Sequence, residues 1–302
     1  MVYLRLVLTA LFWGGTFIAG RILSSEIGPY SAAFLRFLLA SLLLFLLVLR
    51  YEKRWPRLEL RQIGPVTALG LTGVFAYNVL FFKGLKLISA GRASLIIANN
   101  PVVIALLAAL LFKERLNRVQ LGGIALSVAG AFVVISHGDL SAVFEEGVGW
   151  GELFIAGCVA SWAAYSLIGK IVLRGLSPVT SVCYSAMIGA LALFVPALRS
   201  GLIQDVQSLP IQGWVSVAYL GLFGTVLGFV WYYEGVRELG PSRASIFINF
   251  VPVFAIVLAF LILGEPITRS LILGGCLVLA GVYLTNRRQK PNLQGAGPGP
   301  RR

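Results

Sequence analysis

Charge is scarce in this chain, and histidine is almost missing. Of 302 residues, 12% are charged, against roughly a quarter in soluble proteins, and His137 is the single histidine. A soluble chain of this length buries one core beneath a charged shell, and there is too little charge here to build the shell. The 12 acidic residues are Glu26, Glu52, Glu59, Glu114, Asp139, Glu145, Glu146, Glu152, Asp205, Glu234, Glu238 and Glu265. All of them fall in loops or near expected helix ends. No helix centre carries a carboxylate, which argues against a carrier that loads a proton on an acid at depth. Cys158, Cys183 and Cys276 each lie inside an apolar run, which suits packing better than a disulfide framework or a metal site. With no Ser/His/Asp set, no paired acids at depth and no metal-ligand cluster, the chain is not read as an enzyme, and neither a cofactor nor a metal is expected. A net charge of +13 would suggest nucleic acid as partner of a soluble protein. Here the Lys and Arg residues sit in short gaps between apolar runs, so membrane topology explains them and no nucleic acid is expected.

What the chain has in abundance is apolar sequence, 58% of its residues, in runs of about 20, the length that crosses a bilayer as a helix. The runs predict helices at 4–25, 29–50, 62–85, 89–112, 118–136, 149–173, 177–199, 210–235, 241–263 and 267–286. The fold class is therefore all-α integral membrane with ten transmembrane helices. The first run, from about Leu4 to Leu23, has no small-residue cleavage site and leads into another long run, so it reads as a retained helix rather than a signal peptide. A polar loop at 137–148 separates a unit at 4–136 from a second at 149–286. The basic tail, 287–302, rich in Gly and Pro, is expected to be disordered.

The two units resemble each other. Trp13 through Pro29 superimposes without gaps on Trp162 through Pro178 at an offset of 149, placing Gly20 on Gly169 and Arg21 on Lys170. Further along the offset is 151: Leu69-Gly70-Leu71 falls on Leu220-Gly221-Leu222. The register holds through Gly73/Gly224, Gly84/Gly235, Pro101/Pro252, Glu114/Glu265, Gly123/Gly274 and Gly130/Gly281. Apolar composition alone does not align Gly, Pro and Glu in one register, so the chain carries an internal duplication. An odd number of crossings per unit makes the repeats inverted. With the N-terminus in the cytoplasm, 18 of the 25 Lys and Arg residues fall on the inner side and 6 outside, with Arg36 left over. Both termini are expected to face the cytoplasm, and the expected location is a bacterial cytoplasmic membrane.

Each unit closes with a helix holding a central Pro and a terminal Glu, followed by a Gly-rich helix. The signals are Leu35-Arg36-Phe37, then Arg92-Ala93-Ser94 to Pro101 to Glu114, and Arg243-Ala244-Ser245 to Pro252 to Gly264-Glu265. In these features, which span about residues 4 to 286, the chain resembles the EamA-type members of the drug/metabolite transporter superfamily. The resemblance implies a ten-helix basket around a central cavity, alternating access, and export of amino acids or related small metabolites. Related small multidrug resistance proteins carry a Glu in the first helix. This chain has Phe12-Trp13-Gly14-Gly15 there, which counts against proton/cation-drug antiport. The expected partners are a small-molecule solute and the lipid bilayer, and a monomer is compatible with this reading.

Several side chains are candidates for contact with the solute. Arg36 lies seven residues into the second helix, about 10 Å along its axis. It either holds a substrate carboxylate or serves the structure by bonding freed carbonyls or snorkelling outward. Pro101 and Pro252 interrupt helices four and nine and free the carbonyls of Ile97 and Ile248, a pattern that marks midplane binding sites. Asn99, Asn100 and Asn249 lie beside these breaks, with Ser94 and Ser245 one to two turns earlier. Each suits interhelical hydrogen bonding as well as ligand contact. Among the aromatics Trp13, Phe17, Tyr77, Phe81, Trp162, Tyr165, Phe229, Trp231 and Tyr232, five are favoured as cavity residues: Trp13, Tyr77, Phe81, Trp162 and Tyr232. The pairs Trp13/Trp162 and Phe81/Tyr232 are repeat mates. Gly224 with Gly228, and Gly123 with Ser127 and Ala131, form small-residue faces suited to helix packing. Glu114 and Glu265 are expected to stabilise the N-terminus of the helix that follows each of them. Multidrug or nucleoside efflux stands as the alternative transport function.

Overall fold

The computed structural model describes residues 1–52, 55–112, 117–136, 148–173, 175–239 and 247–286. Among these, every regular element is helical. The first half contains α1 (Val2–Glu26), α2 (Pro29–Glu52), α3 (Leu60–Leu69), α4 (Tyr77–Leu87), α5 (Ala90–Ile97), α6 (Asn100–Phe112) and α7 (Arg118–Ile135). The second contains α8 (Trp150–Val172), α9 (Pro178–Arg199), α10 (Leu202–Ser208), α11 (Ile211–Gly221), α12 (Gly228–Leu239), α13 (Val251–Leu263) and α14 (Arg269–Asn286). A π-helical segment, Gly70–Ala76, joins α3 to α4 without a break, and another, Leu222–Leu227, joins α11 to α12. Residues 137–147, the tail 287–302, Glu114 and Arg243-Ala244-Ser245 lie outside the described residues.

The helix boundaries follow local chemistry. Ser89 accepts from the Arg92 amide at 3.3 Å and starts α5, and Asn117 exchanges bonds with Gln120 to start α7. Ser177 precedes Pro178 and accepts from the Thr180 amide at 3.3 Å, which satisfies a donor the first turn of α9 leaves open. Gly264 ends α13 at φ 67°, a left-handed turn that a side chain would oppose.

Seven described helices are long and apolar enough to cross a membrane: Val2–Glu26, Pro29–Glu52, Leu60–Leu87, Arg118–Ile135, Trp150–Gly169, Pro178–Arg199 and Ile211–Tyr232. The stretches expected as helices four and nine do not form single long helices. Two turn residues, Ala98-Asn99 and Asn249-Phe250, interrupt them just before the prolines. The short α10 was not anticipated from the sequence. Large apolar side chains such as Leu42, Leu46, Leu191 and Leu261 stand more than half exposed, a surface that lipid covers and water would not tolerate.

The tightest packing is between α7 and α14. A Cβ on Gly123 would lie 2.7 Å from the Gly281 carbonyl oxygen, and one on Gly130 would lie 2.7 Å from the Gly274 carbonyl oxygen. The low-numbered glycine of one helix meets the high-numbered glycine of the other, so the two repeat mates run antiparallel with their backbones in contact. The second helices behave alike. Phe34 near the start of α2 packs on Phe194 near the end of α9 with ring centroids 5.4 Å apart. At the opposite ends, Ser177 donates to Glu52 at 2.6 Å.

Gly123→Leu should therefore prevent the α7–α14 approach and lower stability by about 3 kcal/mol, since the neighbours are backbone atoms that cannot step aside. Gly122→Leu, where a Cβ would meet nothing within 4 Å, should leave the melting temperature of the detergent-purified protein unchanged. Equal melting of the two variants would refute the packing argument.

Candidate functional site

In both π-helical segments backbone bonds run from i to i−5, as from the Tyr77 amide to Thr72 O and from the Gly228 amide to Phe223 O. Two polar side chains add bonds to their carbonyls. Asn78 Nδ2 donates to the carbonyls of Val74 at 2.8 Å and Gly73 at 3.3 Å, and Thr225 Oγ1 donates to Leu220 O at 2.9 Å. Arg36 then connects the two segments. Its Nη1 donates to Asn78 Oδ1 at 3.0 Å, and its Nε and Nη2 each donate to Thr225 Oγ1 at 3.4 Å. The guanidinium also lies 5.2 Å from the centre of the Phe37 ring. Arg36 thus ties α2 to one π segment from each half, and it does not snorkel outward, being 8% exposed. Asn78 and Thr225 were not singled out in the sequence. A lone Asn in the apolar run 71–82 was a legible signal, whereas Thr225 needed knowledge of the π segment.

Beside this network the aromatic residues form one continuous cluster across the halves. Tyr77 stacks on Phe81 with centroids 5.9 Å apart and planes at 17°, and Phe81 meets Phe17 of α1 edge-on at 5.5 Å. Tyr77 also meets Trp162 of α8 at 5.6 Å. Trp162 reaches Phe229 of α12 at 6.3 Å, and Phe229 meets Trp13 of α1 at 5.6 Å. Trp13 further packs on Tyr232 at 5.4 Å and donates its indole N–H to Gly224 O at 3.1 Å. The five favoured aromatics therefore share one cluster, and Phe229 joins the repeat-mate tryptophans. Phe81 is nearly inaccessible at 2% exposure, while Trp13, Tyr77, Trp162 and Tyr232 are half-buried. Gly224 and Gly228 form the seat of the Trp13 ring: a Cβ on Gly228 would stand 2.6 Å from Trp13 Nε1.

The helix breaks repeat the same bonding at an offset of 151. The Asn99 amide bonds Ile96 O and the Val103 amide bonds Asn99 O, just as the Phe250 amide bonds Phe247 O and the Phe254 amide bonds Phe250 O. The asparagines do not follow this symmetry. Asn99 donates to Leu95 O at 3.1 Å and Ile96 O at 3.3 Å and accepts from Ser127 Oγ at 2.6 Å. It is thereby spent on the break and on α7. Asn100 Oδ1 is buried and has no hydrogen-bond partner among the described residues, and Asn249 is half-buried at the second break. Pro101 follows the first residue of α6, and Pro252 is the second residue of α13.

A separate polar cluster closes one end of the bundle. Arg92 of α5 donates from Nη2 to Glu152 of α8 at 2.6 Å and to Ile135 O, the last residue of α7, at 3.0 Å. The Glu265 carboxylate accepts from the amides of Ala90 at 2.9 Å and Gly91 at 3.2 Å. This corrects the sequence expectation for Glu265. It caps α5 in the other half, while Thr268 serves the following helix α14 by accepting from the Leu271 amide at 3.2 Å. A cavity of about 240 Å³ lies here, lined by Ser89, Arg92, Val134, Ile256, Glu265 and Thr268 among others. Away from it, Arg5 of α1 forms an ion pair with Glu234 of α12.

Both halves match the EamA-like transporter family, over residues 1–136 and 149–287. The chain belongs to that family. It is 31% identical over 282 residues to an uncharacterized transporter of Bacillus subtilis, YyaM, covering 93% of this chain and 92% of the relative. It is also 31% identical over 283 residues to a protein of Streptantibioticus cattleyicolor named "Probable terminal-alkyne amino-acid exporter", covering 94% of this chain and 92% of that protein. A crystal structure that is 20% identical covers 94% of this chain and 97% of its own, with a TM-score of 0.64, and so shares the fold. As a member of the EamA-like transporter family the chain is a multi-pass membrane transporter.

The cap supplied by Glu265 generates a prediction. Glu265→Ala strands two α5 amides and should cost about 1–3 kcal/mol of stability. Glu265→Gln keeps one acceptor oxygen for the two amides and should cost less than Glu265→Ala by thermal unfolding in detergent. No loss from Glu265→Ala would refute the cap.

Proposed function

We propose that this EamA-like transporter is a secondary carrier that exports small neutral or zwitterionic metabolites, amino acids foremost, across the cytoplasmic membrane by alternating access. The observation that carries the proposal is the aromatic cluster in which Trp13 and Trp162, repeat mates from the two halves, meet through Phe229. A solute held there touches both halves at once, so a movement of one half against the other changes its access. The ten-helix reading is supported by the Pro-interrupted stretches around Pro101 and Pro252, which add to the seven long helices and α14. The inverted arrangement is supported by the antiparallel contact of the repeat mates α2 with α9 and α7 with α14. Both termini are assigned to the cytoplasm from the Lys and Arg distribution. The name of the Streptantibioticus cattleyicolor relative favours amino acids. Multidrug or nucleoside efflux is the second reading, and the half-buried aromatic faces of Tyr77 and Trp162 are what favour it.

Proteoliposomes holding the purified protein should accumulate some members of a labelled amino-acid panel faster than empty vesicles. Trp162→Ala should lower the initial rate about tenfold, the expected order for losing an aromatic wall. Uptake at the empty-vesicle rate for every amino acid, together with movement of nucleosides or cationic dyes, would replace this reading with the second one.

A further inference from the structure

The Arg36 guanidinium is incompletely used. It carries five N–H donors, and three are engaged, one with Asn78 and two with the single Thr225 oxygen. One N–H on each Nη is left without an acceptor among the described residues. Both acceptors are neutral. None of the ion pairs among the described residues includes Arg36, although the residue is 8% exposed inside a membrane-spanning helix. A buried cation without a counter-charge is unfavourable in hydrocarbon. The fork of a guanidinium complements a carboxylate more closely than any other common group.

The guanidinium lies beside the aromatic cluster: a Cβ on Gly224 would stand 3.8 Å from Arg36 Nη2, and the carbonyl of the same Gly224 receives the Trp13 indole. We propose that Arg36 is the anion-binding point of the transported solute, and that the solute class is a small carboxylate whose apolar or aromatic remainder lies against Tyr77 and Trp13. This deepens the transporter reading and rests on it. The remaining N–H pair takes the carboxylate while the three existing bonds keep the guanidinium in place, so structural and binding roles are filled by different hydrogens. The repeat mate of Arg36 is Ser185, so the symmetry-related position offers no second guanidinium, and a solute with one carboxylate fits this arrangement.

The test uses the full chain in lipid nanodiscs and follows tryptophan fluorescence during titration with matched probes: phenylalanine, phenylalaninamide and 3-phenylpropionate, and the corresponding leucine series. The two acids should bind about tenfold or more tightly than the carboxamide, the order expected of charge-assisted hydrogen bonds. In Arg36→Gln the gap should shrink to about twofold or less, and Arg36→Lys should retain part of it. Equal affinity of acid and carboxamide in the unmodified protein overturns the proposal, as does a gap that survives in a monodisperse Arg36→Gln, or no binding by any acid. Should Arg36→Gln fail to fold, the acid/carboxamide comparison in the unmodified protein decides alone. Transport of the same probes separates the two readings. Acids and carboxamides carried at equal rates refute the anion point and leave the carrier standing. Acid-selective binding without transport refutes the carrier and leaves the site.

Discussion

In hydrocarbon a carbonyl that loses its helical donor has no water to accept from, and four segments among the described residues depart from regular α-helix: the π segments Gly70–Ala76 and Leu222–Leu227, and the turns before Pro101 and Pro252. Much of the interior polarity answers that constraint. Asn78 and Thr225 donate to the carbonyls of Gly73, Val74 and Leu220, and Asn99 donates to those of Leu95 and Ile96. Arg36 is held where it is because these side chains, turned inward to serve the backbone, leave oxygens that accept from it. The most polar part of the core is thus a consequence of irregular backbone, and irregular backbone at membrane depth is tolerated only where protein or a cavity surrounds it. The proposed site and the scaffold are the same set of bonds viewed from two sides.

The absence of carboxylates at helix centres takes on a structural meaning. Glu152 and Glu265 sit at one end of the bundle and are occupied, the first by Arg92 and the second by the amides of α5. Glu234 is occupied by Arg5. These acids fasten helix ends across the two halves and are poorly placed to accompany a solute through the middle. On the proposed reading such a carrier relies for its central charge on Arg36, and its response to the solute is neutralisation by the solute itself.

The spans of α1, α2, α8 and α9 were legible in the sequence to within a few residues because each is one uninterrupted apolar run. The duplication was legible because Gly, Pro and Glu repeat in register. The aromatic cluster was legible in part: repeat pairing singled out Trp13 and Trp162, and the structure places both beside Phe229. What the sequence did not reveal are features set by distance between helices. Nothing local marks Gly70–Ala76 as π-helical, and Asn78 gains meaning only when Arg36, 42 residues earlier, is beside it. Glu265 was assigned to the helix that follows it because sequence proximity is the only guide before folding. The partner it has is 174 and 175 residues away.

Repeat mates at the glycine and tryptophan contacts are alike and repeat mates in the polar network are not, and this division bears on how such a protein works. Gly123/Gly274, Gly130/Gly281 and Trp13/Trp162 are conserved between the halves, and each pair lies where helices from both halves touch. Arg36/Ser185, Asn78/Phe229, Thr225/Val74 and Asn99/Phe250 pair a polar residue with a different one. On the alternating-access reading the first group keeps two opposite tilts of the bundle close in energy, because each tilt makes nearly the contacts the other makes with the halves exchanged. A fully symmetric interior would also present two equal faces to the solute. An amino acid has two unlike ends, and only a lining in which the halves differ can hold it in one orientation. On the proposed reading the departure from symmetry falls where an asymmetric ligand requires it.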